Sequence, residues 1–151
     1  MRNPAHLVGV VTLVLVVASP VLGQEASPVG HVKVVGGSAF ILREGVVIPA
    51  RLGQAVFEAD GLSTAADGRI GVTLRDNTRV SLGASSEIRL SRFVYAPAEG
   101  RVAFVLRVVR GVMAYVSGQI AELSPDAVRL ETPAAILGVR GTNLVIRVEP
   151  S

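Results

Sequence analysis

From residue 31 onward the apolar positions come in short runs, and Gly, Asp, Asn or Pro closes most of them. The segment "RIGVTLRDNTRVSLG", residues 69–83, shows the rule. Ile70, Val72 and Leu74 alternate with polar or small residues, and Val80 and Leu82 alternate again after Asp76-Asn77. A period of two is that of a strand with one buried face. The same punctuation predicts strands at 31–35, 38–43, 46–50, 55–57, 69–74, 79–82, 87–90, 102–109, 112–117, 127–131 and 143–148. The predicted turns are Gly36-Gly37, Glu44-Gly45, Asp60-Gly61, Asp67-Gly68, Asp76-Asn77, Gly83, Pro97 to Gly100, Gly111, Gly118 and Ser124-Pro125-Asp126. No window of a dozen residues keeps a helical stripe. The pattern predicts an all-β chain: a single compact domain of short strands, as a β-sandwich, a roll or a short solenoid-like stack.

Register can be argued for one pair. Opposed residues of an antiparallel pair share a face. A two-residue loop at Asp76-Asn77 would set Leu74 against Arg79 and put the two apolar sets on opposite faces. A three-residue loop, Asp76-Asn77-Thr78, sets Leu74 against Val80 and Val72 against Leu82. An odd loop or a bulge is therefore expected, with Asn77 in a turn that needs positive φ. Residues 101–118, "RVAFVLRVVRGVMAYVSG", are apolar on both alternations, the pattern of a strand covered on both faces or facing a partner.

The first 24 residues, "MRNPAHLVGVVTLVLVVASPVLGQ", do not fit this scheme. Arg2 and the amino terminus supply positive charge, residues 7–18 are an apolar run, and Pro20 breaks it before Val21-Leu22-Gly23. These are the parts of a secretory signal. A spanning helix needs about 20 apolar residues, so the membrane-anchor reading is the weaker one. The expected organisation is a signal peptide over 1–23, a linker over 24–30, a folded domain over 31–148 and a tail over 149–151. Six residues precede the apolar run, so no cytoplasmic domain is expected on either reading. The expected location is the periplasm.

Composition removes several function classes. Half of the 151 residues are apolar, enough for one core. The net charge is only +3, and the cations, all arginine except Lys33, are interleaved with acids, so no nucleic-acid partner is expected. The absence of cysteine excludes disulfides, a thiolate zinc site and a cysteine nucleophile. Six aromatics and no Trp do not make the girdles of an outer-membrane barrel. In the body of the chain His31 is the lone histidine, no G-x-S-x-G elbow occurs, and no Gly-rich loop leads to a lysine. Asp60, Asp67 and Asp76 could in principle converge for glycoside hydrolysis or calcium binding. Each, however, precedes Gly or Asn, which is turn chemistry. No enzyme activity, cofactor or metal is expected.

Three blocks in fixed order carry a resemblance. The first is "GQAVFEADGLSTAADGRIGVTLRDNTRVSLGASSEIRL", residues 53–90, with Asp60, Thr64, Asp76 and Asn77 at its marked positions. The second is the strand–Gly–strand unit "LRVVRGVMAYVSG", residues 106–118. The third is Thr132-Pro133 followed by Val139-Arg140-Gly141-Thr142. Over residues 31–148 the chain resembles the periplasmic domain of the FecR family. The resemblance implies a small all-β domain without catalytic residues or a cofactor. Founding members sit in the inner membrane; a cytoplasmic part acts on a sigma factor, and the periplasmic part receives a signal from an outer-membrane iron transporter. What carries over is the periplasmic module.

The expected function is thus a non-catalytic protein-interaction module, a signalling or envelope-scaffold component whose partner is another envelope protein. No membrane span is expected after leader removal. The alternative is a binder of envelope glycan or a small ligand, which the few aromatic platforms disfavour. Gly138 and Gly141 bracket Val139-Arg140, a pattern that suits a bulge or a close backbone approach. Pro133 suits the start of a strand. Arg140 is expected as either an exposed side chain on a bent strand or the partner of a buried acid, with a partner contact as the rival reading.

Overall fold

The computed structural model describes residues 18–20, 23, 25–141 and 143–150. Most of the expected leader, and Thr142, lie outside the described residues. Among those described, no helix is long and apolar enough to cross a membrane.

The described chain forms twelve strands: β1 (Gly30–Gly36), β2 (Ala39–Arg43), β3 (Val46–Pro49), β4 (Ala55–Val56), β5 (Gly61–Thr64), β6 (Arg69–Leu74), β7 (Arg79–Leu82), β8 (Glu87–Ala96), β9 (Arg101–Val116), β10 (Val128–Glu131), β11 (Ile136–Gly138) and β12 (Asn143–Val148). A short helix, α1 (Gln119–Leu123), lies between β9 and β10. The strands join in the order β3-β2-β5-β8-β9-β7-β6-β1-β4, with β10 and β12 attached beside β9 and β11 beside β10. All pairs are antiparallel except β9 with β10.

The sixteen-residue β9 belongs to both halves of this curled sheet. Its first part pairs with β8 and β10, and its last part, from Gly111 on, pairs with β7 and β12. Gly111 sits at the change of partner with φ 86°. A Cβ there would lie 2.2 Å from Ser86 Oγ, which itself accepts the Val112 N–H at 2.9 Å. Only glycine allows both the left-handed backbone and this approach. The strand therefore bends and continues.

The apolar faces of the two halves meet in one core, with Val32, Ile70, Val72 and Met113 from one half and Ile41, Ile88, Leu106 and Leu130 from the other. Phe93, Phe104 and Tyr115 form a ladder through it, edge-on at 6.3 Å and stacked at 5.9 Å between ring centres. Alternation of buried and exposed positions along β7 and β8 follows the sequence pattern. Along β9 one alternation is buried at Phe104, Leu106, Val108, Met113 and Tyr115, and the other is mostly half-buried, less covered than the pattern predicts.

Several expected boundaries change. The segments 102–109 and 112–117 are one strand, because Gly111 bends the chain and does not reverse it. Gly61, expected in a turn, opens β5, whose Leu62 enters the core. Strand β8 runs on to Ala96, and β11 was not foreseen. The β6–β7 hairpin has the expected odd loop but begins one residue earlier. Its loop is Arg75-Asp76-Asn77, so Val72 faces Val80 and Ile70 faces Leu82, with Leu74 bonded to Thr78 at 2.8 Å. Asn77 takes φ 68°, the left-handed residue that closes a three-residue hairpin loop.

Candidate functional site

Asp60 precedes β5 and is buried. Arg43, at the end of β2, grips its carboxylate in a fork: Nε donates to Oδ1 at 2.9 Å and Nη2 to Oδ2 at 2.7 Å. The Phe57 N–H donates to Oδ2 at 2.8 Å, and Arg43 also donates to the Ala55 carbonyl at 3.1 Å. The guanidinium lies 4.6 Å from the centre of the Phe57 ring. Hydrogen bonding to Asp60 raises the Arg43 pKa above its ordinary value, against the opposing effect of burial. A bidentate, partly buried pair of this kind ties strand β2 to the start of β5. Sequence reasoning placed Asp60 in a turn and missed Arg43, since nothing in the chain marks residues 17 apart as partners.

Asp76 is also buried. Its carboxylate accepts the Thr78 N–H at 3.0 Å, the Thr78 hydroxyl at 2.8 Å and the Ile120 N–H at 3.2 Å. Its main-chain carbonyl accepts the Gln119 N–H at 2.7 Å. The hairpin tip therefore holds the first turn of α1, where unpaired N–H groups favour an anion. Thr64 plays a similar part: its hydroxyl donates to the Gly83 carbonyl at 2.6 Å and accepts the Ser86 N–H at 3.0 Å. Asp60, Asp67 and Asp76 do not converge, and among the described residues no three His, Asp or Glu side chains are grouped as a metal site.

The third block lies at the surface. Thr132 closes the β10–β11 hairpin: its N–H donates to the Ala135 carbonyl at 2.8 Å, and its hydroxyl accepts the Ala135 N–H at 3.1 Å. Pro133 is exposed in the tip of that turn, after β10 and before β11. Val139 is buried against the core, whereas Arg140 is 83% exposed. Its partner is Asp126, 3.6 Å away and itself 90% exposed, so of the two expected placements Arg140 takes the exposed one and braces no buried acid. Such pairs are worth little. Gly138 and Gly141 have neither positive φ nor any atom within 4 Å of a would-be Cβ. The expected close approach is absent at both, and the segment is an open connection anchored by Val139.

This connection and the flanking strands form the candidate interaction surface. Among the described residues, β11 pairs only with β10 and β12 only with β9, leaving two strand edges side by side in the chain. Ile136 on β11 is 66% exposed and Val145 on β12 is 69% exposed. One depression of about 530 Å³ is lined by Thr132, Pro133, Arg110 and Arg147, and another of about 410 Å³ by Ile136, Gly138, Arg140 and Asp126. The structure thus sets Thr132 and Pro133 beside one depression and Gly138 and Arg140 beside the other, and leaves Asp60, Thr64, Asp76 and Asn77 elsewhere as supports of the sheet.

The family model described as FecR protein matches residues 60–151, more than half of the chain, and the chain belongs to that family. The family is associated with signalling and with the cell envelope. No curated protein and no solved structure matches the chain.

Proposed function

We propose that this FecR-family chain is a non-catalytic periplasmic module that binds another envelope protein through the β11–β12 edge. The observation that carries this reading is the pair of unpaired strand edges with Ile136 and Val145 exposed, beside Arg140 in the matched third block. An open edge presents main-chain N–H and C=O groups to an added strand, and side chains such as these supply its selectivity. The buried acids are already occupied by Arg43, Thr78 and main-chain donors, which fits a structural part for them and not a chemical one. The glycan alternative has less support, since Phe93, Phe104 and Tyr115 are buried and provide no platform.

The test is a photo-reactive residue placed in cells at Val145, with a second placed at Val46 on the far edge strand β3. A discrete heavier adduct is expected from position 145 and not from 46. Arg140→Glu and Val145→Asp should each weaken capture while changing stability by no more than about 0.5 kcal/mol, as surface changes do. Equal adducts from both edges, or capture indifferent to both substitutions, would show that this edge is not the binding surface.

A further inference from the structure

Arginines scattered along the sequence are gathered by strand register onto one face. Arg89 on β8 stands directly opposite Arg107 on β9, and Arg107 is opposite Glu131 on β10. In the next row, Val105 lies between Arg92 and Arg129. Glu87 is opposite Arg110. The alternate positions Ile88, Leu90, Leu106 and Leu130 point into the core, so these charged residues share the outer surface. Five arginines face two glutamates there, and the whole chain carries a net charge of only +3.

The compensation is incomplete. Glu131 is 3.9 Å from Arg107 and Glu87 is 3.7 Å from Arg110. Among the described residues, Arg89, Arg92 and Arg129 have no carboxylate within ion-pair distance. Like charges directly opposite one another destabilise a strand pair. The Arg89–Arg107 pair is therefore a local cost that an anion placed between the two guanidiniums would reverse.

We propose that this face docks on the phosphate-bearing surface of an anionic lipid bilayer. The guanidinium fork matches phosphate oxygens in pairs. The array also extends in two dimensions, across three strands spaced about 4.8 Å apart and along each strand in steps of about 6.6 Å per like-facing residue. A single peptide or nucleic-acid strand presents its charges along a line, whereas a headgroup layer presents them in a plane. Arg110 and Arg129 border both this face and the partner surface, but Arg89 and Arg107 line neither depression of that surface, so a variant of those two tests membrane docking apart from the protein-partner reading.

The test is co-sedimentation of the full chain with phosphatidylcholine vesicles, and with the same vesicles carrying about one third phosphatidylglycerol. The neutral vesicles read any contribution of the apolar run at 7–18. Excess binding to the anionic vesicles is expected, and it should vanish near 1 M salt, where the screening length falls to about 3 Å. Arg89→Gln with Arg107→Gln should weaken that excess about thirtyfold, from roughly 1 kcal/mol per arginine near an anionic surface. The double variant should melt close to the parent, because losing the Arg89–Arg107 repulsion offsets losing the long Arg107–Glu131 pair. Equal binding to both vesicles, or parent-like binding by the variant, overturns the proposal. So does binding of soluble polyphosphate, nucleic acid or an acidic protein without any preference for the anionic vesicles.

Discussion

Tyr115 is buried on β9 and stacked on Phe104, yet its hydroxyl has no hydrogen-bond partner among the described residues. Burial, followed by the negative charge of Asp76, pushes its pKa up to about 12. A hydroxyl in this position contributes desolvation cost without a bond in return. Tyr115→Phe keeps the ring and its stacking, and is expected to leave stability unchanged or raise it by about 1–2 kcal/mol. The pH dependence has a definite sign. The folded state holds the proton more tightly than the unfolded chain, whose tyrosine titrates near 10. This contribution is fully present below pH 10 and is lost as pH rises from about 10 to 12. The stability gap between variant and parent should therefore widen by about 1 kcal/mol between pH 8 and pH 11. Urea unfolding of both proteins at the two pH values measures it. A variant weaker than the parent by more than about 1 kcal/mol would show that the hydroxyl is bonded after all.

At the scale of elements, β9 decides the architecture, and Gly111 decides β9. Gly111→Ala would force a side chain into φ 86° and onto Ser86, displacing the hydroxyl that holds the Val112 N–H. Strained backbone and a lost part-buried hydrogen bond together predict a loss of about 3 kcal/mol. Gly141→Ala, in open space without positive φ, should stay within about 0.5 kcal/mol of the parent. Denaturant midpoints of the two variants check the contrast, and two equal midpoints would contradict it. The comparison also shows what a single sequence conveys. Strands β6, β7 and β12 were legible to the residue, because alternation and flanking turn residues are local signals. The parity of the hairpin loop was legible too, since only an odd loop puts both apolar sets on one face. Its position was not, because Leu74 can face either Thr78 or Val80 with the same parity. Both Gly111 and Gly141 follow Val-Arg, the first expected in a turn and the second at a bulge or close approach. They differ in φ, and because Ser86, 25 residues earlier, comes to rest against the first and nothing comes to rest against the second. Strand β5 was hidden by Gly61 and Ser63, whose residue types suit a turn, although Leu62 is held in the core. For the candidate surface, the third block was legible as a motif, but exposure of Arg140 depends on where Asp126 and Val139 fold.

At the scale of the whole molecule, the family match begins at Asp60, but the folded unit does not. Strand β1 runs along β6 from Gly30 to Gly36, and β2 pairs with β5 over Ala39 to Leu42. Val32, Ile41 and Val56 are buried in the same core as the matched segment. Arg43 is the partner of buried Asp60. A fragment of residues 60–151 loses all of these. Three buried aliphatic side chains account for roughly 5–8 kcal/mol of transfer free energy. The Arg43–Asp60 fork and the Phe57 N–H bond, which fix the start of β5, are lost as well. Domains of this size are stable by only about 5–15 kcal/mol, so the fragment is expected to show no cooperative unfolding transition, whereas residues 25–151 should show one. Circular dichroism melts beside limited proteolysis distinguish the two. Adding a peptide of residues 25–59 to the fragment should restore protection from proteolysis, because β1 and β2 supply both the missing edges and Arg43. Restoration should fail with a peptide carrying Arg43→Gln if the Asp60 pair is as central as its fork geometry indicates. A fragment that melts cooperatively, near the midpoint of residues 25–151, would mean that the matched span carries its own core and that β1 to β4 are an addition to it.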